Sequence, residues 1–424
     1  MKKALLALTV AVMLASVVIT GCVSSAGSGG QAAWTEVSSK PVEGQPGLLE
    51  TVWETERPPQ AKYDKVGVRR LKSTSLGPTL GIIFFIPSSV TSARLYTSSE
   101  DHDFRLFLAN RGYEIYSLDY RASFIPAEEK DLSSMAGWNT RVFLGDIEAA
   151  VALAKQKSGF SKVFLSGHST GARYVYLYGA LRWREDVVGL IPLDGSPWET
   201  DGPDGSAYTL DIDQVNRALK EGDTPANRAL FKSWEVTSGP GYYEVGGISD
   251  FAPEFPMAIR VYYEQGPKAP SPVKGYSTVS DYIASQFQDL WGSGQFSNPL
   301  GGYASIDMLL NFALKASDPY WPIADYLDDV YIGNWRGKAP RAEYSYHEKL
   351  CQIDVPVIAF ASGEWKDAMG MVGWWREMGT VMVRSRDTEY HLLEGFGHID
   401  ILLGEKARDQ VFVPLLDWLK RRRP

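Results

Sequence analysis

Val163-Phe164-Leu165-Ser166-Gly167-His168-Ser169-Thr170-Gly171 joins an apolar run of strand character to a turn of small residues, and a segment of helical spacing follows. A strand that turns into a helix this abruptly forces the residue at its apex into an unfavourable backbone conformation. Side chains on either flank would collide, so the pattern needs glycine on both sides, as Gly167 and Gly171 supply. Ser169 is then lifted above the end of a sheet at the N-terminus of a helix. Backbone N–H groups there can stabilise negative charge on an oxygen that forms beside the serine.

Working outward, the flanks repeat the same unit. Leu80-Gly81-Ile82-Ile83-Phe84-Phe85-Ile86 is an almost unbroken apolar run stopped by Pro87-Ser88-Ser89, as expected of a strand covered on both faces. A helical pattern over 104–110 leads through Arg111-Gly112 into a strand over 113–119, and a long helix over 140–156 precedes the strand that ends in the turn. A further strand is expected over 187–193, closing on Asp194-Gly195-Ser196-Pro197. Strand and helix alternating in this order give an α/β fold with a mostly parallel, doubly wound sheet. Residues 49–53 and 66–71 alternate as edge strands of an antiparallel start. The alternation disappears over 198–348 and returns with Val355-Pro356-Val357-Ile358-Ala359-Phe360-Ala361, a strand near 381–384, the turn Gly395-Phe396-Gly397-His398 and a closing helix over 407–420.

A serine hydroxyl is a weak nucleophile until a base takes its proton, and the usual base is a histidine oriented by a carboxylate. The chain has 5 histidines. His168 sits inside the turn and reads as a lining residue, His102 and His347 fall in polar segments, and His391 precedes Leu392-Leu393. His398 follows the last strand and precedes the last helix. With Leu108-Ala109-Asn110-Arg111-Gly112-Tyr113 and Asp119-Tyr120-Arg121, the serine turn and the Gly-His-x-Asp turn resemble the α/β-hydrolase superfamily over 75–197 and 350–424. The resemblance implies acyl transfer to water through an acyl-enzyme at Ser169, with His398 as general base and chain order serine, acid, histidine.

For the acid, the resemblance favours Asp367 in Gly363-Glu364-Trp365-Lys366-Asp367, after the strand preceding the histidine loop. Asp194, at the end of the strand before the insertion, is the second candidate and Glu364 the third, while Asp400 lies too close behind His398 to reach round to its ring. The oxyanion hole is expected from the backbone N–H of Thr170 together with that of Ser88 or Ser89. Relatives often carry His-Gly where this chain has Pro87-Ser88, which leaves the second donor open.

The insertion over 198–348 is rich in aromatics, among them Trp198, Trp234, Tyr242, Tyr243, Tyr262, Tyr263, Trp291, Tyr320, Trp321 and Trp335. By the resemblance it is a cap over the site. Its Tyr and Trp residues either suit an aromatic, acylated-sugar or lipid-like substrate or form the cap's own core.

At the other end, Met1-Lys2-Lys3, an apolar stretch to Ile19 and Thr20-Gly21-Cys22 make a signal peptide. The Cys after Ile19-Thr20-Gly21 resembles the lipobox of bacterial lipoproteins, which implies cleavage before Cys22 and acylation of its thiol. A membrane span or an ordinary signal is the alternative, and the run is short for a span. The organisation expected is a signal peptide over 1–21, a Ser/Gly-rich tether over 22–47, a core over 48–197 and 349–424, and the insertion between the two core segments. Such a chain is exported and held in the cell envelope, at the outer membrane or cell surface, by its lipid. The chain has 2 cysteines, so acylation of Cys22 leaves Cys351 without a partner, and Cys351 reads as packing filler ahead of a strand.

A formal net charge of −8 over 424 residues, with basic residues clustered only at 420–423, argues against nucleic acid as a partner. The absence of clustered metal-ligand spacing argues against a metal hydrolase and calls for no cofactor. Dehalogenase chemistry needs a carboxylate where Ser169 stands. The expected partner is a small-molecule or lipid-like ester. Peptide or amide hydrolysis uses the same groups, and a non-catalytic binding protein on the same fold would be expected to have lost Ser169 or His398.

Overall fold

A computed structural model describes residues 33–197, 243–245, 254–291, 304–316, 318–322, 324–325, 328, 349–363, 380 and 383–422. The chain enters through β1 (Thr35–Pro41), β2 (Leu48–Glu56), β3 (Lys65–Ser73) and β4 (Ile82–Ile86), then α1 (Phe104–Ala109) and β5 (Glu114–Asp119). It continues through α2 (Thr140–Ser158), β6 (Val163–His168), α3 (Thr170–Asp186) and β7 (Val187–Leu193). The insertion contributes β8 (Tyr243–Val245), α4 (Phe255–Gln265), α5 (Val279–Trp291), α6 (Ile306–Lys315) and β9 (Tyr320–Pro322). The last segment holds β10 (Val357–Ser362), β11 (Thr388–Leu393), α7 (Asp400–Leu403) and α8 (Val413–Lys420).

Among the described residues one sheet of nine strands runs β1-β2-β3-β5-β4-β6-β7-β10-β11. β1, β2, β3 and β5 pair antiparallel in succession, and from β5 to β11 every pairing is parallel. Every residue of β4, β6 and β10 is buried, the signature of strands covered on both faces. On one face Ile83, Phe85 and Phe164 pack with Phe104, Phe107, Phe412 and Trp418. On the other, Ile82, Phe84 and Leu165 pack with Phe143, Ile147, Tyr174 and Val175 of α2 and α3. α2 is bounded as its sequence dictates: the Asn139 side chain accepts from the Val142 N–H at 3.1 Å, and Gly159 ends it at φ 80°.

The insertion shares these cores. Phe255, Tyr262, Leu309 and Phe312 belong to the first cluster and Trp321 to the second. Trp321 stacks on Phe143 at 5.0 Å and meets Tyr120 edge-on at 4.8 Å. Its ring N–H and the Arg173 guanidinium donate to the buried Asp325 carboxylate, at 3.1 and 2.6 Å. Trp321 and Tyr262 are therefore packing residues, whereas Tyr263 is exposed. Trp198, Trp234, Tyr242 and Trp335 lie outside the described residues.

Three expectations are corrected. The tether over 22–47 is too long, because Thr35–Pro41 forms an edge strand paired with β2 from Thr35↔Glu54 to Pro41↔Leu49. It buries almost no side chain, so it leaves no apolar alternation in the sequence, and its pairing with β2 rests mainly on backbone hydrogen bonds. Among the described residues the final strand is Thr388–Leu393, while residues 383 and 384 of the expected strand lie in a bend; the strand is a half-exposed edge with a weak apolar signal. Cys351 is exposed in a turn and is no core filler. Cys22 and the rest of the signal segment lie outside the described residues.

Candidate active site

β6 delivers the chain to Ser169 and α3 carries it away, and between them Ser169 adopts φ 55° and ψ −123°. A non-glycine residue in that region carries backbone strain of about 1–3 kcal/mol and persists only where its surroundings hold it. Here the Ser169 N–H donates to the Leu193 carbonyl at 2.9 Å, and the Ser169 carbonyl accepts from Ala172 N–H at 2.8 Å. The glycines are a steric requirement. A Cβ on Gly167 would stand 2.3 Å from the Gly171 carbonyl oxygen, and one on Gly171 would stand 2.0 Å from that of Ile86. A third, on Gly195, would stand 2.5 Å from the Ser169 carbonyl oxygen. The ends of β4, β6 and β7 thus converge on the serine.

β7 ends at Asp194, itself at φ 50° and fully buried. Its N–H donates to the Phe360 carbonyl at 2.7 Å, which docks it on β10. His398 Nδ1–H donates to Asp194 Oδ2 at 2.6 Å, the short distance of a charge-assisted bond. Ser362, at the end of β10, adds two donors to the carboxylate: its N–H to Oδ1 and its Oγ–H to Oδ2, both at 2.7 Å. With the proton on Nδ1, the His398 Nε2 is the ring's acceptor, as a general base requires. Asp194 is therefore the carboxylate on His398. Asp367, ranked first from the sequence, and Glu364 lie outside the described residues.

The turn bearing His398 is held by two groups. His168 Nε2–H donates to the His398 carbonyl at 3.0 Å, and the two rings lie 4.4 Å apart. Asp400 accepts from Gly397 N–H at 2.8 Å and from Ala304 N–H of the insertion at 2.7 Å. Burial pushes the Asp400 carboxyl up to about 6, and the charge of Asp194 adds to the rise. Asp400 thereby clips the His398 turn to the insertion without touching the ring's Nδ1.

Opposite, the loop after β4 lies against the start of α3: the Thr170 hydroxyl donates to Ser89 Oγ at 3.2 Å, and Tyr120 O–H donates to the Pro87 carbonyl at 2.9 Å. The insertion pins this loop through Ser92 N–H to the Ala316 carbonyl and Asp318 N–H to that of Val90, each at 2.7 Å. Ser88 is buried in it. Thr170, Ser88 and Ser89 are thus together beside Ser169, where a pair of backbone donors could meet an oxyanion.

Sequence reasoning missed Ser362, and it assigned His168 to the lining without its bond to the His398 carbonyl. Ser362 gave a faint signal: a hydroxyl residue followed by Gly363 at the end of a buried strand, where a Cβ on Gly363 would stand 2.8 Å from the Leu393 carbonyl oxygen. Of the remaining histidines, His102 Nδ1 meets the Leu403 carbonyl at 3.0 Å and His391 stacks on Phe360 at 4.9 Å.

No sequence-family model and no curated protein matches the chain. Among solved structures it is similar to a presumed lipase from Sulfolobus solfataricus, at TM-score 0.69 and 23% identity over 92% of this chain and 99% of that one. It is also similar, at TM-score 0.46 and 15% identity over 93% of this chain and 97% of the other, to a soluble variant of monoglyceride lipase from Saccharomyces cerevisiae in complex with a substrate analogue. The sheet order and the first of these likenesses identify the architecture as the α/β-hydrolase fold.

Proposed function

On this α/β-hydrolase fold, we propose that the chain is a serine hydrolase that cleaves a carboxylic ester, with Ser169 as nucleophile, His398 as general base and Asp194 as its acid. The observation that carries the reading is the 2.6 Å bond from His398 Nδ1 to Asp194, placed beside a serine held at φ 55° between strand and helix.

Ser169 Oγ attacks the ester carbonyl carbon as its proton passes to His398 Nε2. Asp194, held by Ser362, stabilises the imidazolium. The oxyanion of the tetrahedral intermediate accepts hydrogen bonds from the backbone N–H of Thr170 and of Ser88 or Ser89. Collapse breaks the C–O bond, and the alcohol leaves with the proton from His398. A water then gives its proton to His398 as it attacks the acyl carbon, and the acid departs with Ser169 restored.

The insertion covers this site as a cap and selects the substrate. The protein is exported and held in the cell envelope by a lipid on Cys22. The core takes in the edge strand Thr35–Pro41 and spans about 35–197 and 349–424.

The test is hydrolysis of p-nitrophenyl esters by the full chain in detergent, with labelling by a fluorophosphonate. Turnover that falls at least about 10⁴-fold in Ser169→Ala, with the phosphonyl mass on the peptide bearing Ser169, is the expected result. Equal turnover in both forms, or label elsewhere, overturns it.

A further inference from the structure

α6 of the insertion is bonded at its two ends to the two sides of the site. Before its first residue, Ala304 N–H donates to Asp400 Oδ1 at 2.7 Å, and Asp400 Oδ2 accepts at 2.8 Å from the N–H of Gly397, the neighbour of His398. After its last residue, the Ala316 carbonyl accepts from the Ser92 N–H at 2.7 Å and from the Ser92 hydroxyl at 3.2 Å. Two positions on, Asp318 N–H donates to the Val90 carbonyl at 2.7 Å. Val90 and Ser92 stand in the loop that carries Ser88 and Ser89. One end of the helix therefore holds the turn of the base, and the other holds the loop expected to supply an oxyanion donor.

The element between those ends keeps its length. A helix of 10 residues rises about 15 Å and does not stretch without breaking its own hydrogen bonds. Ser305 caps its start by accepting from Met308 N–H at 3.3 Å, and Ala316 N–H closes its end on the Phe312 carbonyl at 2.9 Å. Leu309, Leu310, Phe312 and Ala313 bury one face, with Phe312 edge-on to Tyr96 at 5.2 Å. The loop it grips is strained at the grip: Val90 is β-branched yet lies at φ 49°, a conformation that persists only where neighbours hold it.

We propose that α6 is a strut that fixes the spacing between His398 and the oxyanion donors, with Asp400 and the 316–318 segment as its positioning groups. The proposal rests on the serine-hydrolase reading above. One tetrahedral intermediate must meet the base and the oxyanion donors at once, and an error of about 1 Å in their placement costs on the order of 100-fold in rate. Binding of the ester in its ground state makes no such demand, so the loss falls on kcat rather than KM.

The experiment measures kcat and KM of the full chain on p-nitrophenyl acetate, butyrate and octanoate, with the Ser169→Ala rate subtracted. The variants are Leu314→Pro, Leu314→Ala, Asp400→Asn and the double variant Leu314→Pro/Asp400→Asn. Leu314 is an exposed residue of α6, so replacing it empties no core site. Proline there interrupts the helix between its two ends, whereas alanine keeps it. Asp400→Asn leaves one of the two N–H groups facing an amide that cannot accept. Leu314→Pro and Asp400→Asn are each expected to lower kcat at least about tenfold with KM within about threefold, and Leu314→Ala to stay within about twofold of the wild type. A strut broken in one place transmits nothing in another, so the double variant is expected within about threefold of the slower single one, where independent defects would multiply. If thermal melts show Leu314→Pro unfolded, Leu314→Gly takes its place with the same coupling expected. Losses that multiply, or that fall on KM with kcat unchanged, overturn the strut and leave the hydrolase reading standing. No Ser169-dependent turnover of the three esters by the wild type overturns both.

Discussion

The nucleophile turn and the acid-base corner are built in opposite ways. The first is continuous in sequence: β6, Ser169 and α3 follow one another, and the glycines that permit the turn stand within two residues of the serine. The second brings together Asp194 from the end of β7, Ser362 from the end of β10 and His398 from the loop after β11. A local device is specified by sterics along a few residues. A distant one depends on strand order and on hydrogen bonds that exist only once the sheet has formed.

That contrast is broken most sharply at the carboxylate. Asp194→Asn is expected to lower kcat about 10³–10⁴-fold, because the amide no longer holds the right tautomer of His398. Asp367→Asn is expected to change kcat by less than about threefold, because Asp194 already occupies the place on His398 Nδ1. A reversed pair in steady-state kinetics would return the acid to the position ranked first from the sequence.

A smaller effect is expected at Ser362. Ser362→Ala removes the Oγ–H bond to Asp194 but keeps the backbone N–H bond, so a fall of about tenfold in kcat with KM little changed is expected. The acidic limb of the kcat/KM profile should move as well, since the carboxylate that supports the imidazolium loses a donor. Loss of KM alone would assign Ser362 to substrate binding.

An effect on stability and not on kcat concerns the insertion contact that steadies the loop opposite the corner. Asp318, whose N–H holds the Val90 carbonyl, accepts from Ser123 Oγ at 2.5 Å, and burial pushes its carboxyl up from 3.8 to about 7, against the pull of the Ser123 bond and of Arg94 and Arg69. A carboxyl raised in the folded state contributes stability that is fully present below the unfolded pKa and lost as pH rises through the folded one. Between pH 5 and pH 8 the wild type should therefore lose stability that Asp318→Asn keeps, by about 2–3 kcal/mol at most. Thermal melts of both proteins across that range check it: the gap should widen with pH, and a constant gap would contradict the assignment.

Much of this was legible along the chain. The alternation of apolar strands and helices over 80–193 implied a parallel sheet because a strand buried on both faces must be apolar throughout. The spacing around Ser169 implied the turn because no side chain fits beside it, as the contacts of Gly167 and Gly171 bear out. β1 and β11 were misjudged because an edge strand buries too little to pattern its sequence.

The sequence by itself determined the residues that depend on neighbours a few positions away: the strained serine, its flanking glycines, the buried strands, and a histidine on a turn near the last helix. Only the tertiary structure decided that Asp194 meets His398, that Ser362 braces it, and that Asp400 ties the His398 turn to Ala304 of the insertion. The partners lie far apart in the chain, 204 positions for Asp194 and His398, and a carboxylate carries no mark of which ring it will face until the sheet order sets strand ends side by side.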